Sequence, residues 1–420
     1  MTKIIVLGGA GDAASQIVRE LAAEPKVTSI TIAEADMEAA EQLASELGDK
    51  VSAVRVKFHD PTTMVEVIRG HDAAVNSSGP FCHYEVPITQ AAIEAGVPCL
   101  SLCDDPDAAQ AVQALDEAAK SAGVSVLIGM GWAPGMAGLL IRKGLAELGQ
   151  ADVVQVAWAK HVSTAQRYDA IKDLAHLFSG QVPGLQYGRK VYIKGGSDKE
   201  TVLFPPPVGL VNCYHVGYPA PLGLVHGQDT VDTIEVKGGL AEQMLNDVAW
   251  GLTRLQLGDL SDDENRVNQM IQAALERSSE SELDLPACSA LRVDLRNREG
   301  GQEISFGVAL RQDEAHSSPE AMAALMLAQG DIHMPGVITP EQGFETDVML
   351  DALEERGVTV HDLTGQNPPP PPETEGPPLA IKLGIAAAGV LATLMGLLTV
   401  VIWLFLRNKR GHHDDQADQE

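Results

Sequence analysis

The residues with the clearest chemical use form a glycine-rich turn near the start of the chain (residues 8–13, the glycine turn). The turn follows a short apolar run typical of a buried strand, and with Ala14 it matches the pattern G-x-G-x-x-A. The first glycine of that pattern permits a tight turn, and the second lets the backbone approach a pyrophosphate. The amides of the following helix then face the phosphates. The residues expected to contact a dinucleotide here are Gly9, Ala10, Gly11, Asp12 and Ala13.

An acidic residue, Glu34, stands twenty positions after Ala14, at the end of the next strand-like run. A carboxylate at this point hydrogen-bonds the 2′-hydroxyl of an adenosine ribose and repels a 2′-phosphate. The next residue is Ala35 and not an arginine. The expected cofactor is therefore NAD or NADP, with NAD favoured. The alternative is a turn of this shape that binds no nucleotide.

The surrounding elements predict how these residues are held. The first 130 residues alternate short apolar runs with amphipathic helical stretches, which favours a doubly wound parallel sheet of Rossmann type. From about residue 152 strand-like runs alternate less regularly with helices, which favours an α+β substrate domain with an open sheet. The predicted fold class is α/β with these two parts and a single C-terminal transmembrane helix.

Three loops are expected to meet where the parallel strands of the first domain end, because open α/β sheets bind ligands at that edge. In the first loop we expect Ser78, Gly79, Pro80 and Phe81 to contact the cofactor on its nicotinamide side.

The next two loops contain Asp104, Asp105 and Trp132, which we expect on the substrate side, with Asp104 as a catalytic candidate. The alternative for both aspartates is capping of the helix that opens at Pro106.

Hydride transfer to an imine or a carbonyl often needs a proton donor, and histidine serves well near neutral pH. In the second domain His215 is the predicted donor and Tyr214 is the other candidate. The alternative for His215 is a purely structural histidine.

Composition narrows the function classes. The chain has 420 residues and a net charge of −28, and a surface this acidic repels phosphate backbones, so we expect no nucleic-acid partner. The five cysteines are an odd, unclustered set that argues against a disulfide framework. Cys99 and Cys103 have no second pair at zinc spacing, so we expect no metal site.

The carboxy-terminal part predicts a membrane anchor. Residues 383–406 carry no charge, and two dozen helical residues extend roughly 36 Å, enough to cross a hydrocarbon core of about 30 Å. A proline-rich linker precedes this stretch. The basic residues that follow the span favour a body outside the cell. The expected cofactor and the free thiols favour a body on the cytoplasmic side, and that is our prediction.

Four stretches resemble the saccharopine dehydrogenase-like proteins, of the saccharopine reductase and carboxynorspermidine dehydrogenase type. They are the glycine turn, residues 76–105 with N-S-S-G-P-F and C-D-D, residues 129–135 with G-M-G-W-A-P-G, and residues 204–219 with Y-H-V-G-Y-P. The resemblance covers nearly all of residues 1 to about 362 and implies a nicotinamide-dependent oxidoreductase. The family often has Asp-Arg where this chain has Glu34 and Ala35, a departure that disfavours NADP.

The predicted domains follow from these boundaries. They are a Rossmann domain at 1–132 with a return segment at about 330–366, an α+β substrate and dimerisation domain at 133–329, a proline-rich linker at 367–378, a transmembrane helix at 379–406 and a polar tail at 407–420.

The sequence therefore predicts a membrane-anchored, NAD(P)-dependent oxidoreductase that forms a homodimer. It would transfer hydride to or from a C=N or C=O bond, or a C=C bond, of a small or lipid-like substrate. The alternative is a non-catalytic dinucleotide-binding subunit, structural or redox-sensing, of a membrane complex.

Overall fold

The strands divide between two sheets, as the alternation of apolar runs predicts. The computed structural model describes residues 2–103, 105–162, 167–216, 231–254, 267–269, 271–273, 275, 288–311 and 319–366. Asp104 and the residues from 367 onward lie outside them.

The first part of the chain alternates strand and helix. Its elements are β1 (Thr2–Leu7), α1 (Asp12–Ala23), β2 (Val27–Glu34), α2 (Met37–Leu47), β3 (Val51–Arg55), α3 (Pro61–Ile68), β4 (Ala73–Asn76), α4 (Phe81–Ala95), β5 (Cys99–Ser101), α5 (Pro106–Gln113), α6 (Asp116–Ala122) and β6 (Ser125–Ile128).

The second part is richer in strands. Its elements are a π-helical turn (Trp132–Met136), α7 (Ala137–Leu148), β7 (Val153–His161), α8 (Arg167–Leu177), β8 (Gln181–Gln186), β9 (Arg189–Lys194), β10 (Glu200–Leu203), β11 (Leu210–His215), β12 (Thr233–Leu240), α9 (Gln243–Arg254), β13 (Cys288–Asn297), β14 (Gln302–Arg311), α10 (Pro319–Gln329), β15 (Gly336–Ile338), α11 (Pro340–Gly343), α12 (Thr346–Glu354) and β16 (His361–Asp362).

The first sheet has seven parallel strands in the order β15-β6-β5-β4-β1-β2-β3. Its strands are mostly apolar because helices cover both faces. In β1, Ile4 and Val6 join the core on one face, and Ile5 and Leu7 join the core on the other. The predicted Rossmann-type α/β fold with a parallel sheet is confirmed.

The second sheet has nine strands and mixed directions. Its main path is β10-β11-β12-β7-β13-β14-β16, and the hairpin β8–β9 pairs with β12. Strand β12 is parallel to β7, whereas β13 and β14 are antiparallel to their neighbours. One face of this sheet shares a core with the first sheet, and the opposite face has a smaller core that contains Ala157, Phe204 and Cys213.

The chain returns to the first sheet after β14. Helix α10 packs on β1, β4 and β5, and β15 adds a parallel strand beside β6. Strand β16 then pairs with β14 in the second sheet. The boundaries that we placed between the two domains stay a prediction.

The predicted transmembrane helix and the membrane location need correction. In the part of the chain that the structure describes, no helix is both long enough and apolar enough to cross a bilayer. Residues 379–406, for which the span was predicted, lie outside that part, as do the linker at 367–378 and the tail at 407–420. The fold is therefore described without a transmembrane helix.

Glycine at position 238 is required by packing in the second sheet, because a Cβ atom there would overlap the indole of Trp158. We predict that Gly238→Ala lowers the free energy of unfolding of the full chain by about 2–3 kcal/mol, since a packed core resists added volume. At Gly251 in α9 an added Cβ atom would have nothing within 4 Å, so Gly251→Ala is the matched control. It should be neutral or stabilise by up to about 1 kcal/mol. Urea denaturation compares the two variants, and equal effects would contradict the packing argument.

Candidate dinucleotide site

The glycine turn lies at the carboxyl edge of the first sheet, meaning the edge where its parallel strands end. Gly8 has φ +76°, and a Cβ atom on it would lie 2.9 Å from the Cα atom of Ser78. Only glycine allows both this backbone conformation and this close approach. The turn is therefore held against the loop that follows β4.

Helix α1 begins at Asp12, within the glycine turn, and its N-cap is Gly11, a residue without a side chain that could cap the first amides. Helix amides without such a cap form an anion-binding group, which suits a pyrophosphate. Asp12 opens the helix, and the side chains of Asp12 and Ala13 lie outside the described part of the structure. The predicted phosphate-binding turn thus has the required backbone.

The hydroxyl of Ser78 has an unusual environment. Ser78 is 4% exposed, and its Oγ atom has no hydrogen-bond partner among the described residues. The same atom lies 2.9 Å from the position that a Cβ atom on Gly8 would take, so it is directed at the glycine turn. A buried hydroxyl without a partner costs free energy unless a ligand satisfies it. The residues present therefore fit a dinucleotide, whose binding would satisfy the hydroxyl of Ser78.

Glu34 lies beside the turn, as its spacing predicts. Its Oε1 atom accepts a hydrogen bond from the amide of Ala10 (3.3 Å), and Oε2 accepts one from the amide of Ala35 (3.1 Å). The carboxylate is thus fixed between the turn and the end of β2. This is the position from which it can reach an adenosine ribose.

A basic residue that sequence reasoning missed also reaches this place. Arg55 ends β3 and pairs with Glu34 in the register of the sheet, and its Nη1 atom donates to the carbonyl of Ala35 (2.9 Å). Beside it is a cavity of about 380 Å³, whose lining includes Lys57 and Phe58. The arginine comes from the neighbouring strand, so the residue that directly follows Glu34 gives no sign of it.

A buried carboxyl group connects the ends of β4 and β5. Glu85 in α4 is 0% exposed. Its Oε2 atom accepts hydrogen bonds from Nδ2 of Asn76 (2.7 Å) and Oγ of Ser101 (2.8 Å), and Oε1 accepts one from Oγ1 of Thr89 (3.4 Å). Burial raises the pKa of Glu85 to about 7, and the three hydrogen bonds act in the opposite direction. Sequence reasoning missed Glu85 because it lies inside a helix, away from any motif.

The partners of Glu85 shape the two loops that follow these strands. The side-chain oxygen of Asn76 accepts from the amide of Ser78 (3.1 Å), and the hydroxyl of Ser101 accepts from the amide of Cys103 (3.1 Å). The hydrogen-bond network of Glu85 therefore positions both the loop that holds the Ser78 hydroxyl and the loop that leads to the aspartates.

The other residues predicted at this edge have different surroundings. Gly79 and Pro80 are exposed, and Phe81 begins α4 half-buried. Asp105 is the N-cap of α5, and its carboxylate accepts from the amides of the second and third residues of that helix (2.9 Å each). Asp105 therefore has the capping role that was the alternative for the two aspartates. The role of Asp105 toward a substrate stays a prediction.

Trp132 begins the π-helical turn that follows β6 and is half-buried against the core. Just before it, the amides of Gly129 and Met130 both donate to the carbonyl of Ser101 (3.0 Å each). The chain between β6 and the π-helical turn is thereby fixed to the end of β5, beside the other two loops.

The two predicted proton donors of the second domain lie on opposite faces of β11. His215 is buried, and its Nε2 atom lies 3.4 Å from a carboxylate oxygen of Asp198. Burial lowers the pKa of His215, and the ammonium of Lys237 adds to the decrease. Tyr214 packs on Phe178.

The hydroxyl of Tyr214 accepts from Nε2 of Gln243 (3.1 Å). The hydrogen bonds and ion pairs that we find for Tyr214 and His215 all involve residues of the second domain. Residues 217–230, which follow β11, lie outside the described part, as does Asp104. The catalytic roles of His215, Tyr214 and Asp104 stay predictions.

Within the described ranges, no group of three His, Cys, Asp or Glu residues has a geometry that holds a metal ion. A second carboxylic acid with a raised pKa, Glu320 in α10, lies near this edge, and sequence reasoning missed it too. It stands in a helix that returns from the second domain, so no local motif marks it.

The raised pKa of Glu85 gives a testable pH dependence. The folded chain binds the proton of Glu85 more tightly than the unfolded chain, so this group's contribution to stability falls as the pH rises from about 4.5 through 7. Glu85→Gln removes the titration and retains an acceptor for Asn76 and Ser101. We predict that, relative to the wild type, the variant gains about 2–3 kcal/mol of unfolding free energy between pH 5 and pH 8.

Urea denaturation at several pH values measures this gain. Glu94→Gln changes an exposed carboxylate on the same helix and is the matched control. If Glu85→Gln and the wild type have the same pH slope, Glu85 is ionised in the folded chain as readily as in the unfolded one, and the role given to the network is wrong.

Comparison with known proteins agrees with this geometry. Residues 4–127 match the model of the saccharopine dehydrogenase NADP binding domain. That range begins in β1 and ends in β6, so it contains the glycine turn, Glu34 and the Glu85 network.

Solved structures show how far the fold is shared. Saccharopine dehydrogenase (L-Glu forming) from Saccharomyces cerevisiae is similar over 86% of this chain and 100% of its own, with a TM-score of 0.62 and 14% identity. Serine dehydrogenase from Escherichia coli is similar over 30% of this chain and 80% of its own, with a TM-score of 0.25 and 11% identity.

The yeast protein thus shares the fold of both sheets, and the bacterial match is too limited to add to it. The NADP binding domain of residues 4–127 lies within that shared fold. Residues 4–127 are therefore a dinucleotide-binding domain of the saccharopine dehydrogenase type, and the chain is an NAD(P)-binding oxidoreductase with a saccharopine dehydrogenase-like fold.

Proposed function

We propose that the chain transfers hydride between a nicotinamide dinucleotide and a C=N or C=O bond, or a C=C bond, of a small substrate. The observation that carries this proposal is the unpartnered hydroxyl of Ser78, buried against Gly8 of the glycine turn. It supplies a polar group that a bound dinucleotide would satisfy, beside the start of α1, where Gly11 is the N-cap.

Each part of the cofactor has a protein group suited to it. The amides at the start of α1 would hold the pyrophosphate, and Glu34 would hold the adenosine ribose. Gly79, Pro80 and Phe81, which follow β4, would border the nicotinamide. When bound, the dinucleotide supplies or accepts the hydride. The protein's task is then to orient the two reactants and to move a proton.

We propose a preference for NAD over NADP. Glu34 holds a negative charge next to the amide of Ala10, where a 2′-phosphate would be repelled. Arg55 is the opposing feature, but its guanidinium is engaged by the carbonyl of Ala35. The family model that matches is described as NADP-binding, so the affinities of the chain for NADH and NADPH have to be compared directly.

The proposed substrate class rests on the hydride-transfer chemistry expected of a nicotinamide-dependent oxidoreductase. The reason for a lipid-like substrate was the predicted membrane anchor, and that prediction is withdrawn. A small carbonyl compound or imine is therefore the substrate class that we propose. The homodimer stays a prediction.

The cofactor preference is tested by titrating NADH and NADPH into the full chain and into Glu34→Ala, with nicotinamide fluorescence as the signal. We predict that the wild type binds NADH at least about tenfold more tightly than NADPH. The variant should lose about 10-fold or more in NADH affinity, since a charged hydrogen bond contributes about 1.5–3 kcal/mol, and should bind NADPH better.

Glu38→Ala changes an exposed residue in the first turn of α2, so it is the matched control and should leave both affinities unchanged. A wild type that prefers NADPH would contradict the proposed preference. In that case Arg55→Ala should weaken NADPH binding, which would assign the guanidinium to the 2′-phosphate.

A further inference from the structure

Helix α10 brings a carboxylic acid to the nicotinamide half of the site. At one end of the helix, Gln329 accepts a hydrogen bond from Nζ of Lys26 (3.1 Å), and Lys26 lies just before the start of β2. At the other end, Glu320 lies beside Gly131, which follows the end of β6. The helix therefore runs antiparallel to the strands, with Glu320 at the carboxyl edge.

The strands beneath this helix are those of the nicotinamide half. Helix α10 packs on β1, β4 and β5 and lies beside α1. The adenosine half lies on the other side of β1, where β2 ends at Glu34 and β3 ends at Arg55. A side chain at the start of α10 is thus placed on the side of the edge that holds Pro80 and Trp132.

The Glu320 side chain faces the backbone of the loop before Trp132. A Cβ atom on Gly131 would lie 3.3 Å from Oε1 of Glu320, and Gly131 has φ +154°. The glycine therefore leaves space that the carboxyl group borders. The helical residues that follow, among them Ala321 and Ala323, are buried in the core, so the carboxyl group stands at the boundary between the core and the loop.

Burial raises the pKa of Glu320 to about 7. Its own backbone amide lowers that pKa, and Glu20 on α1 raises it further through its negative charge. Among the described residues, Glu20 is the charged group that acts on Glu320 from a neighbouring element. The group can therefore hold a proton near neutral pH and can also release it.

We propose that Glu320 is the proton donor and acceptor of the hydride-transfer reaction. This inference rests on the proposed function. In the reducing direction the substrate carbon gains the hydride that the reduced dinucleotide supplies. The π bond of C=O or C=N breaks toward the heteroatom, which takes the proton of the Glu320 carboxyl. The carboxylate that remains would recover a proton from the solvent, so that each reduction consumes one hydride and one proton.

This assignment differs from the histidine and tyrosine predicted from the sequence. Tyr214 and His215 make their observed contacts within the second domain, whereas Glu320 borders the loop at the carboxyl edge. A carboxylic acid with a pKa near the working pH is suited to general acid–base catalysis in both directions.

The test uses the charge of the nicotinamide ring and needs no substrate. The oxidised ring carries a positive charge and the reduced ring is neutral, so only the oxidised form should favour the carboxylate of a nearby Glu320. We expect NAD⁺ to release about half a proton more than NADH on binding to the full chain at pH 7, because a group with a pKa near 7 is half protonated there. Calorimetry in buffers of different ionisation enthalpy measures the release.

Two variants identify the group that releases the proton. Glu320→Gln should abolish the difference between NAD⁺ and NADH while both nucleotides still bind. Glu94→Gln changes an exposed carboxylate on α4 that is outside the site, and it should leave the difference intact. A difference that persists in a Glu320→Gln chain that binds both nucleotides would overturn the assignment.

A third variant tests the effect of the Glu20 charge on the pKa of Glu320. Glu20→Gln removes the neighbouring negative charge, so it should lower the pH at which the difference in proton release is greatest. If a wild type that binds both nucleotides releases as many protons with NAD⁺ as with NADH, the role of Glu320 is overturned and the proposed function still stands. Failure of a folded chain to bind either nucleotide would instead overturn the proposed function, and the role of Glu320 with it.

Discussion

The buried carboxyl group of Glu85 ties together the strand ends on which the site is built. It accepts hydrogen bonds from Asn76 at the end of β4 and from Ser101 at the end of β5, and both partners also bind the loops that follow them. A carboxyl group in an apolar interior is costly unless its oxygens are hydrogen-bonded. The requirement to satisfy Glu85 therefore fixes the two loops at the carboxyl edge, where we propose that the nicotinamide binds.

The glycine turn depends on this arrangement. Gly8 packs against Ser78, and the position of Ser78 is set by the hydrogen bond from its amide to Asn76. The turn, the first amides of α1 and the hydroxyl of Ser78 thus converge on one place. Charged groups lie on both halves of this edge. Glu34 and Arg55 are on the side that we propose for the adenosine, and Glu320 is on the side that we propose for the nicotinamide.

The sequence predicts features whose signal is local. The glycine turn, Glu34 and the alternation of strand and helix follow from spacing within about thirty residues. Arg55 and Glu85 act through the register of the sheet, and Glu320 arrives on a helix about 190 residues after Gly131, so no local pattern marks them. Tyr214 and His215 are neighbours in the sequence, but they face opposite sides of β11 because successive side chains of a strand alternate. The resemblance to a family motif does not indicate this difference in orientation. The transmembrane prediction rested on composition alone.

The most direct test of this account is an equilibrium titration of NADH and NADPH into the full chain, followed by nicotinamide fluorescence, with circular dichroism to establish that the chain is folded. The account predicts saturable binding at one site per chain, with NADH bound more tightly. A folded chain that binds neither nucleotide would contradict it, because the glycine turn and the buried hydroxyl of Ser78 would then have no ligand to explain them.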